Sequence, residues 1–293
     1  MRFHAELVDV NTLQRVIQTI AKVSPRCYVR VNPVEIRFIC TADGSDGGVQ
    51  VWSQFTNEAF LKDPVVESKF NNQIDFEINS DLFAQSLRSC DHAMSVAIRL
   101  SKREGEPLLS MAIANASHTG GRLEVVQDIG VRIIRASEAN KMRDPMVPDP
   151  QVHIYMPKMF KVRSVVEKMR NVTRHIYVSA NRSEEFLMSV EEPEVRIESK
   201  WAKCGHPRIH NESQQTSAAS ASTSDLEADK TKHFRVKVDA KSLLKFLSSH
   251  ILESRCIVCI CQPLCVIFYV YVGDPKNTSG VVTFYLPGTE EDD

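Results

Sequence analysis

The sequence predicts an α+β fold of two domains, each made of two strand-helix-three-strand units, with the helices on one concave basic face and the sheets outside. Three observations lead there. Four times, at a spacing of roughly 75 residues, a short run of alternating apolar positions passes directly into a run with helical periodicity. Between those helices the chain breaks into short alternating segments separated by turn residues. A chain of 293 residues with 43% hydrophobic content can bury a full core, most naturally as two domains of about 145 residues.

Met1, Phe3, Ala5 and Leu7 alternate before a helix over residues 11–23, in which Leu13, Val16, Ile17 and Ile20 form an apolar stripe opposite Arg15, Gln18 and Lys22. Strand candidates at 27–38, with a turn at Asn32-Pro33, and at 38–52, interrupted by a turn from Asp43 to Gly48, complete the first unit. Ile74, Phe76 and Ile78 open the second. A helix over 81–92 sets Phe83, Leu87 and Cys90 against Gln85 and Arg88, and strands follow at 95–101, 108–114 and 121–127.

Asp144-Pro145 and Pro148-Asp149-Pro150 make 136–151 an inter-domain linker, because prolines at that density exclude helix and central strand. The domains are therefore expected at 1–135 and 152–293. Val152, Ile154 and Met156 open the third unit, with a helix over 158–171 whose Val162, Val165, Val166 and Met169 are apolar, and strands at 175–180, 186–190 and 195–199. Residues 204–232, with a Ser, Thr and Ala-rich run from Ser213 to Ser224, predict a disordered loop. Phe234, Val236 and Val238 open the fourth unit. Its helix, 240–250, places Leu243, Leu244 and Leu247 opposite Lys241, Lys245 and Ser248, and strands at 256–261, 266–272 and 280–286 end the pattern.

Net charge is −1, from 36 Lys and Arg against 37 Asp and Glu, which argues against a protein that grips nucleic acid over its whole surface. The distribution is uneven. Arg15, Lys22, Arg88, Lys161, Arg163, Lys168, Arg170, Lys241 and Lys245 all lie on the four helices. If the helices pack on one face of a curved sheet, these side chains form a basic surface that attracts phosphate without reading bases. The third helix is less regular, because Glu167 sits on its outward line and the cations flank it. Zinc-finger spacing, an RNA-recognition aromatic signature and a basic-zipper heptad are all absent.

No apolar run reaches the ~18 residues of a membrane span and the N-terminus lacks a signal-peptide pattern, so a soluble protein with no membrane partner is expected. Eight cysteines are too dilute for a disulfide scaffold and point to a reducing compartment. The cluster Cys256-x-x-Cys259-x-Cys261-x-x-x-Cys265 begins with zinc-like spacing but has no second compact pair. It reads as a buried strand, with metal binding and redox sensing as lesser alternatives. Gly44, Gly47 and Gly48 lie between strands and read as a hairpin turn. Without a nucleophile elbow, HExxH, Walker A or paired-carboxylate motif, the chain is expected to be no enzyme and to need no cofactor, metal or small-molecule substrate. Ser213, in a Ser-Gln dipeptide of the loop, is a candidate phosphosite, and Glu290 to Asp293 reads as a solvated acidic tail.

The stretch from Asp144 to Pro157 (Asp-Pro-Met-Val-Pro-Asp-Pro-Gln-Val-His-Ile-Tyr-Met-Pro) is followed by Ser164-Val165-Val166-Glu167-Lys168-Met169-Arg170-Asn171-Val172. With Gly47-Gly48-Val49 and Trp52, Leu100-Ser101-Lys102 leading to Pro107-Leu108-Leu109-Ser110, and Val270-Tyr271-Val272 before Asp274-Pro275, the chain resembles the Hus-one family of checkpoint clamp subunits everywhere except the loop at 204–232. That resemblance implies the sliding-clamp fold of proliferating cell nuclear antigen and a three-part ring with Rad-nine and Rad-one subunits, the nine-one-one clamp. It also implies placement on double-stranded DNA by an ATP-driven checkpoint clamp loader, signalling to the DNA damage checkpoint and repair, and a location in the nucleus and also the cytoplasm. The nine helix cations would face DNA. Subunits would join head to tail through edge strands at Leu108 to Ala114, with Leu108, Leu109, Met111 and Ile113, and at Ile176 to Ala180, with Ile176 and Val178. A homotrimeric replication clamp is the alternative; it would share the fold and trimerise alone.

Overall fold

The four units run in the order expected. The first is β1 (Arg2–Leu7), α1 (Val10–Val23), β2 (Arg26–Val31), β3 (Glu35–Cys40) and β4 (Gln50–Thr56), followed by one turn of helix, α2 (Asn57–Phe60), and β5 (Leu61–Glu67). The second is β6 (Ile74–Asn79), α3 (Ser80–Arg88), β7 (Ser95–Arg103), β8 (Glu106–Ala116) and β9 (Arg122–Ile133), after which α4 (Ala136–Ala139) leads into an extended connection. The third is β10 (Val152–Tyr155), α5 (Met159–Met169), β11 (His175–Ala180), β12 (Phe186–Glu192) and β13 (Val195–Trp201). The fourth is β14 (Phe234–Asp239), α6 (Ala240–Leu247) with a 3-10 extension Ser248–Leu252, β15 (Arg255–Cys261), β16 (Cys265–Asp274) and β17 (Asn277–Pro287). This computed structural model describes residues 1–41, 48–116, 121–207, 230–252, 255–274 and 277–289. The candidate phosphosite Ser213, the Ser-rich run, the tip of the first hairpin with Gly44 and Gly47, and the acidic tail lie outside the described residues.

Three of the four abrupt passages from strand to helix have a local cause; Lys158, ahead of α5, makes no side-chain cap. Asp9, Asn79 and Asp239 end or follow a strand, and each turns its side chain onto a backbone N–H of the first helical turn: Thr12 at 2.9 Å, Leu82 at 3.0 Å and Ser242 at 2.9 Å. Burial pushes the Asp239 carboxyl up, but the Ser242 amide and hydroxyl and the Arg174 guanidinium outweigh it and hold the group below the usual carboxylate range. α3 stops at Arg88, short of the expected residue 92, because the chain turns through Ser89 and Cys90 and His92 takes a left-handed φ of 63°. β5 was not foreseen. It carries Pro64 and buries only Leu61 and Val66, so its alternation is broken.

Within each half the two units exchange their first strands. β1 of the first unit pairs with β7 of the second, and β6 of the second pairs with β2 of the first. β10 of the third pairs with β15 of the fourth, and β14 of the fourth with β11 of the third. A further antiparallel ladder between β4 and β17 joins the halves into one 13-stranded sheet, beside a four-stranded sheet in the order β13-β12-β11-β14. The helices pack in a single row: α3 on α1, α1 on α6 and its 3-10 extension, and α6 on α5. Their apolar stripes all enter one core, where the Phe246 ring stacks 3.8 Å from that of Phe268 and meets Phe284 edge-on. Among the described residues, no helix is long and apolar enough to cross a membrane.

Phe246 is fully buried and touches both rings that the last sheet sends toward the helices. Phe246→Ala is expected to lower the free energy of unfolding by about 3–5 kcal/mol, read from chemical denaturation followed by circular dichroism.

Candidate nucleic-acid interface

Because the apolar stripe of every helix enters the core, the opposite faces of all four turn the same way. Arg15 and Lys22 are exposed on α1, and Arg88 is exposed on α3. Lys161, Lys168 and Arg170 are exposed on or just after α5 and Arg163 is half-buried there, while α6 carries Lys241, exposed, and Lys245, half-buried. Where α5, α6 and the end of α1 meet they enclose an open concavity of about 1170 Å³ lined by Lys22, Arg163, Arg170, Arg174, Lys241 and Lys245. Among the described residues, Asp239 is the only carboxylate in that lining. Arg15, Lys161 and Lys168 stand outside the concavity on α1 and α5, and Arg88 stands outside it on α3.

Two of the nine cations expected from the sequence are already engaged. Arg163 Nε lies 2.8 Å from Glu167 Oε1, an i,i+4 pair that offsets charge in the middle of α5. Lys245 Nζ donates to the carbonyl of Val23 at 3.3 Å, so it neutralises the C-terminal end of α1 and ties the two halves together. Arg174, on the loop after α5, was missed from the sequence. It precedes a strand and has no helical periodicity to place it, yet it enters the concavity with its Nε 3.3 Å from Asp239 Oδ1. Asp239 is engaged in turn by the cap of α6.

The expected subunit edges need correction. β8 is paired with β7 on one side and β9 on the other, and β11 with β12 and β14, so neither has a vacant ladder. Leu108, Leu109, Met111, Ile113, Ile176 and Val178 are all buried. A regular apolar alternation marks a strand with a covered face, and such strands tend to be interior; it does not mark an edge.

The vacant edges lie one strand beyond β8, at β9, and two beyond β11, at β13. β9 pairs with β8 from Arg122 to Gly130, while its other side meets β6 only from Val131 to Ile133. Among the described residues, β13 pairs only with β12. Leu123, Val125 and Val126 are exposed along β9, as is Val195 on β13. β5, β10 and β14 also end a sheet, but β5 is interrupted by Pro64, and β10 and β14 sit in the corner against β11 and β15.

The cysteine cluster is resolved by strand geometry. Cys256 faces the helix-side core, whereas Cys259, Cys261 and Cys265 face the other side of the sheet, so the Cys256-x-x-Cys259 pair cannot close on one ion.

A family model described as Hus1-like protein matches residues 1–290. Among curated proteins, Checkpoint protein hus1 of Schizosaccharomyces pombe is 31% identical over 287 residues, 98% of each chain. Checkpoint protein HUS1 of Homo sapiens is 29% identical over 254 residues, 85% of this chain and 86% of that one. Among solved structures, proliferating cellular nuclear antigen from Entamoeba histolytica superposes with a TM-score of 0.68 over 98% of this chain and 99% of that chain, at 12% identity. The antigen from Thermococcus kodakaraensis gives 0.67 over 97% and 99%, at 14% identity. Folded as a sliding clamp, and matched along nearly its whole length, this chain belongs to the Hus1-like protein family.

Proposed function

We propose that this chain is a non-catalytic subunit of a heterotrimeric sliding clamp that encircles double-stranded DNA at damage sites and signals to the checkpoint and repair machinery. The observation that carries this reading is the single row of four helices with Lys and Arg outward, in a chain of net charge −1 that belongs to the Hus1-like family. Cations that protrude from helix flanks bind phosphate by counterion release and leave base edges unread, which lets a ring slide.

The ladder between β4 and β17 supports ring closure. It joins the last strands of units one and four. β9 and β13, the last strands of units two and three, hold the corresponding vacant edges, so a neighbour's β13 on this β9 would repeat the internal junction. Two different edges favour head-to-tail assembly, which closes into a ring when the rotation per subunit is right. The partners are a Rad-nine and a Rad-one subunit, a separate clamp loader supplies the ATP chemistry, and the complex works in the nucleus.

The deciding test is solution mass by size exclusion with light scattering. The chain alone is expected to run near its 33.1 kDa and to form one complex of three different chains when both partners are added. Trimerisation alone would instead indicate a homotrimeric clamp. Leu123→Glu with Val126→Glu, both at exposed positions of β9, should weaken one of this subunit's two junctions at least about tenfold and leave the three chains as an open complex that retains DNA poorly, without unfolding the subunit. In the assembled ring, Lys22→Ala, Arg170→Ala and Lys241→Ala together should weaken DNA retention and flatten its salt dependence by up to about 0.9 log units per lost phosphate contact. A low-salt retention series with unchanged slope would contradict this. Lys245→Ala is the less clean probe, because it also removes the bond to Val23.

A further inference from the structure

The face of β15, β16 and β17 turned away from the helices carries a small apolar cluster of its own: Cys259, Cys261, Cys265 and Ile267, with Tyr269 and Tyr285 packed against it. Antiparallel register sets Cys261 directly opposite Cys265 at the mouth of the hairpin between β15 and β16. Directly opposed residues hold their Cβ atoms about 4.5–5.5 Å apart, and a disulfide needs about 3.5–4.5 Å, so a bridge here asks for a small adjustment next to a turn. The neighbouring Cys261 side chain holds the Cys265 thiol below its usual range against burial, while Cys265 and burial together push Cys261 up. Cys265 retains 9% exposure beside Leu264, which is 61% exposed.

The linker lies against the same hairpin. Cys261 Sγ is 3.6 Å from the carbonyl oxygen of Pro148, the Gln262 amide donates to Gln151 Oε1 at 2.8 Å, and the Gln151 amide donates to the Ile260 carbonyl at 3.0 Å.

We propose that Cys261 and Cys265 are a peroxide-sensitive dithiol that closes into a disulfide beneath the linker. The Cys265 thiolate attacks hydrogen peroxide, takes one oxygen as a sulfenic acid, and releases the other as hydroxide, which is protonated to water. The Cys261 thiol then displaces the sulfenic hydroxyl as a second water while the S–S bond forms. Two thiols lose two electrons and two protons, and one peroxide becomes two waters. Bridge formation also removes the S–H that Cys261 can offer to Pro148.

The chain contains its own control. Cys27 and Cys40 face each other one step beyond the Tyr28↔Ile39 pair of β2 and β3, but both are at most 1% exposed in the main core beneath the helices, so neither offers peroxide the 9% exposure of Cys265.

The test is peptide mass mapping of the full-length chain after hydrogen peroxide, with remaining thiols alkylated under denaturing conditions. The peptide that holds Cys261 and Cys265 should lose two hydrogens and gain two fewer alkyl groups than in the reduced protein, and dithiothreitol should reverse both changes. Cys261→Ala should leave a sulfenic acid at Cys265 that dimedone captures, and Cys265→Ala should abolish the reaction. Full alkylation of both thiols after peroxide, a bridge to Cys259 instead, or oxidation of Cys27 and Cys40 at the same rate would overturn the proposal. Mapping of the unsubstituted chain decides the matter even if a variant folds poorly.

Discussion

The ladder between β4 and β17 is the interaction on which the other features depend, because it turns two halves into one sheet. Its register runs from Gly280↔Phe55 to Tyr285↔Gln50, and a side chain at Gly280 would collide with the Gln54 carbonyl and the Phe55 ring. Glycine is thus required there by close approach of backbone to ring. With the sheet continuous, α1 of the first half packs against α6 of the second, and Lys245 reaches the end of α1. Were the halves hinged, the cations of α1 would not share a concavity with those of α5 and α6.

Strand exchange within each half sets the next level. Each unit lends its first strand to its neighbour's sheet, so a unit alone would leave its ladder open. The exchange brings two helices to the same side of the sheet. Their apolar stripes then have one place to go, and the polar faces follow. Electrostatics is therefore a by-product of packing: the basic surface exists because the helices carry Lys and Arg where they cannot be buried. α5 shows the limit of that logic. Its Glu167 pairs with Arg163, which offsets charge in the middle of the helix, and Arg174 and Asp239 are bonded together at the rim of the concavity.

The outer face of the same sheet is chemically different. Alternation along β15 sends Cys256 into the helix-side core and Cys259 and Cys261 toward the linker, so cysteines close in sequence sit in separate environments. The helix side carries the basic surface, whereas the outer side holds the chain connection and a pair of adjacent thiols.

The sequence alone determined the four units, because the switch from period two to period 3.6 is a local property, written into consecutive residues by which side chains must be buried. The nine helix cations were found for the same reason: a stripe and its opposite face can be read from one helix. What it left open was which strands lie at an edge. Leu108 to Ala114 and Ile176 to Ala180 alternate well because they are interior, while β9 and β13, whose edges are vacant, alternate less cleanly. Arg174, the bond from Lys245 to Val23 and the opposition of Cys261 to Cys265 likewise came only from the tertiary structure. An edge is defined by the absence of a neighbour, and the neighbours here come from remote parts of the chain, as β17 does for β4. Local periodicity carries no record of them; only the assembled sheet does.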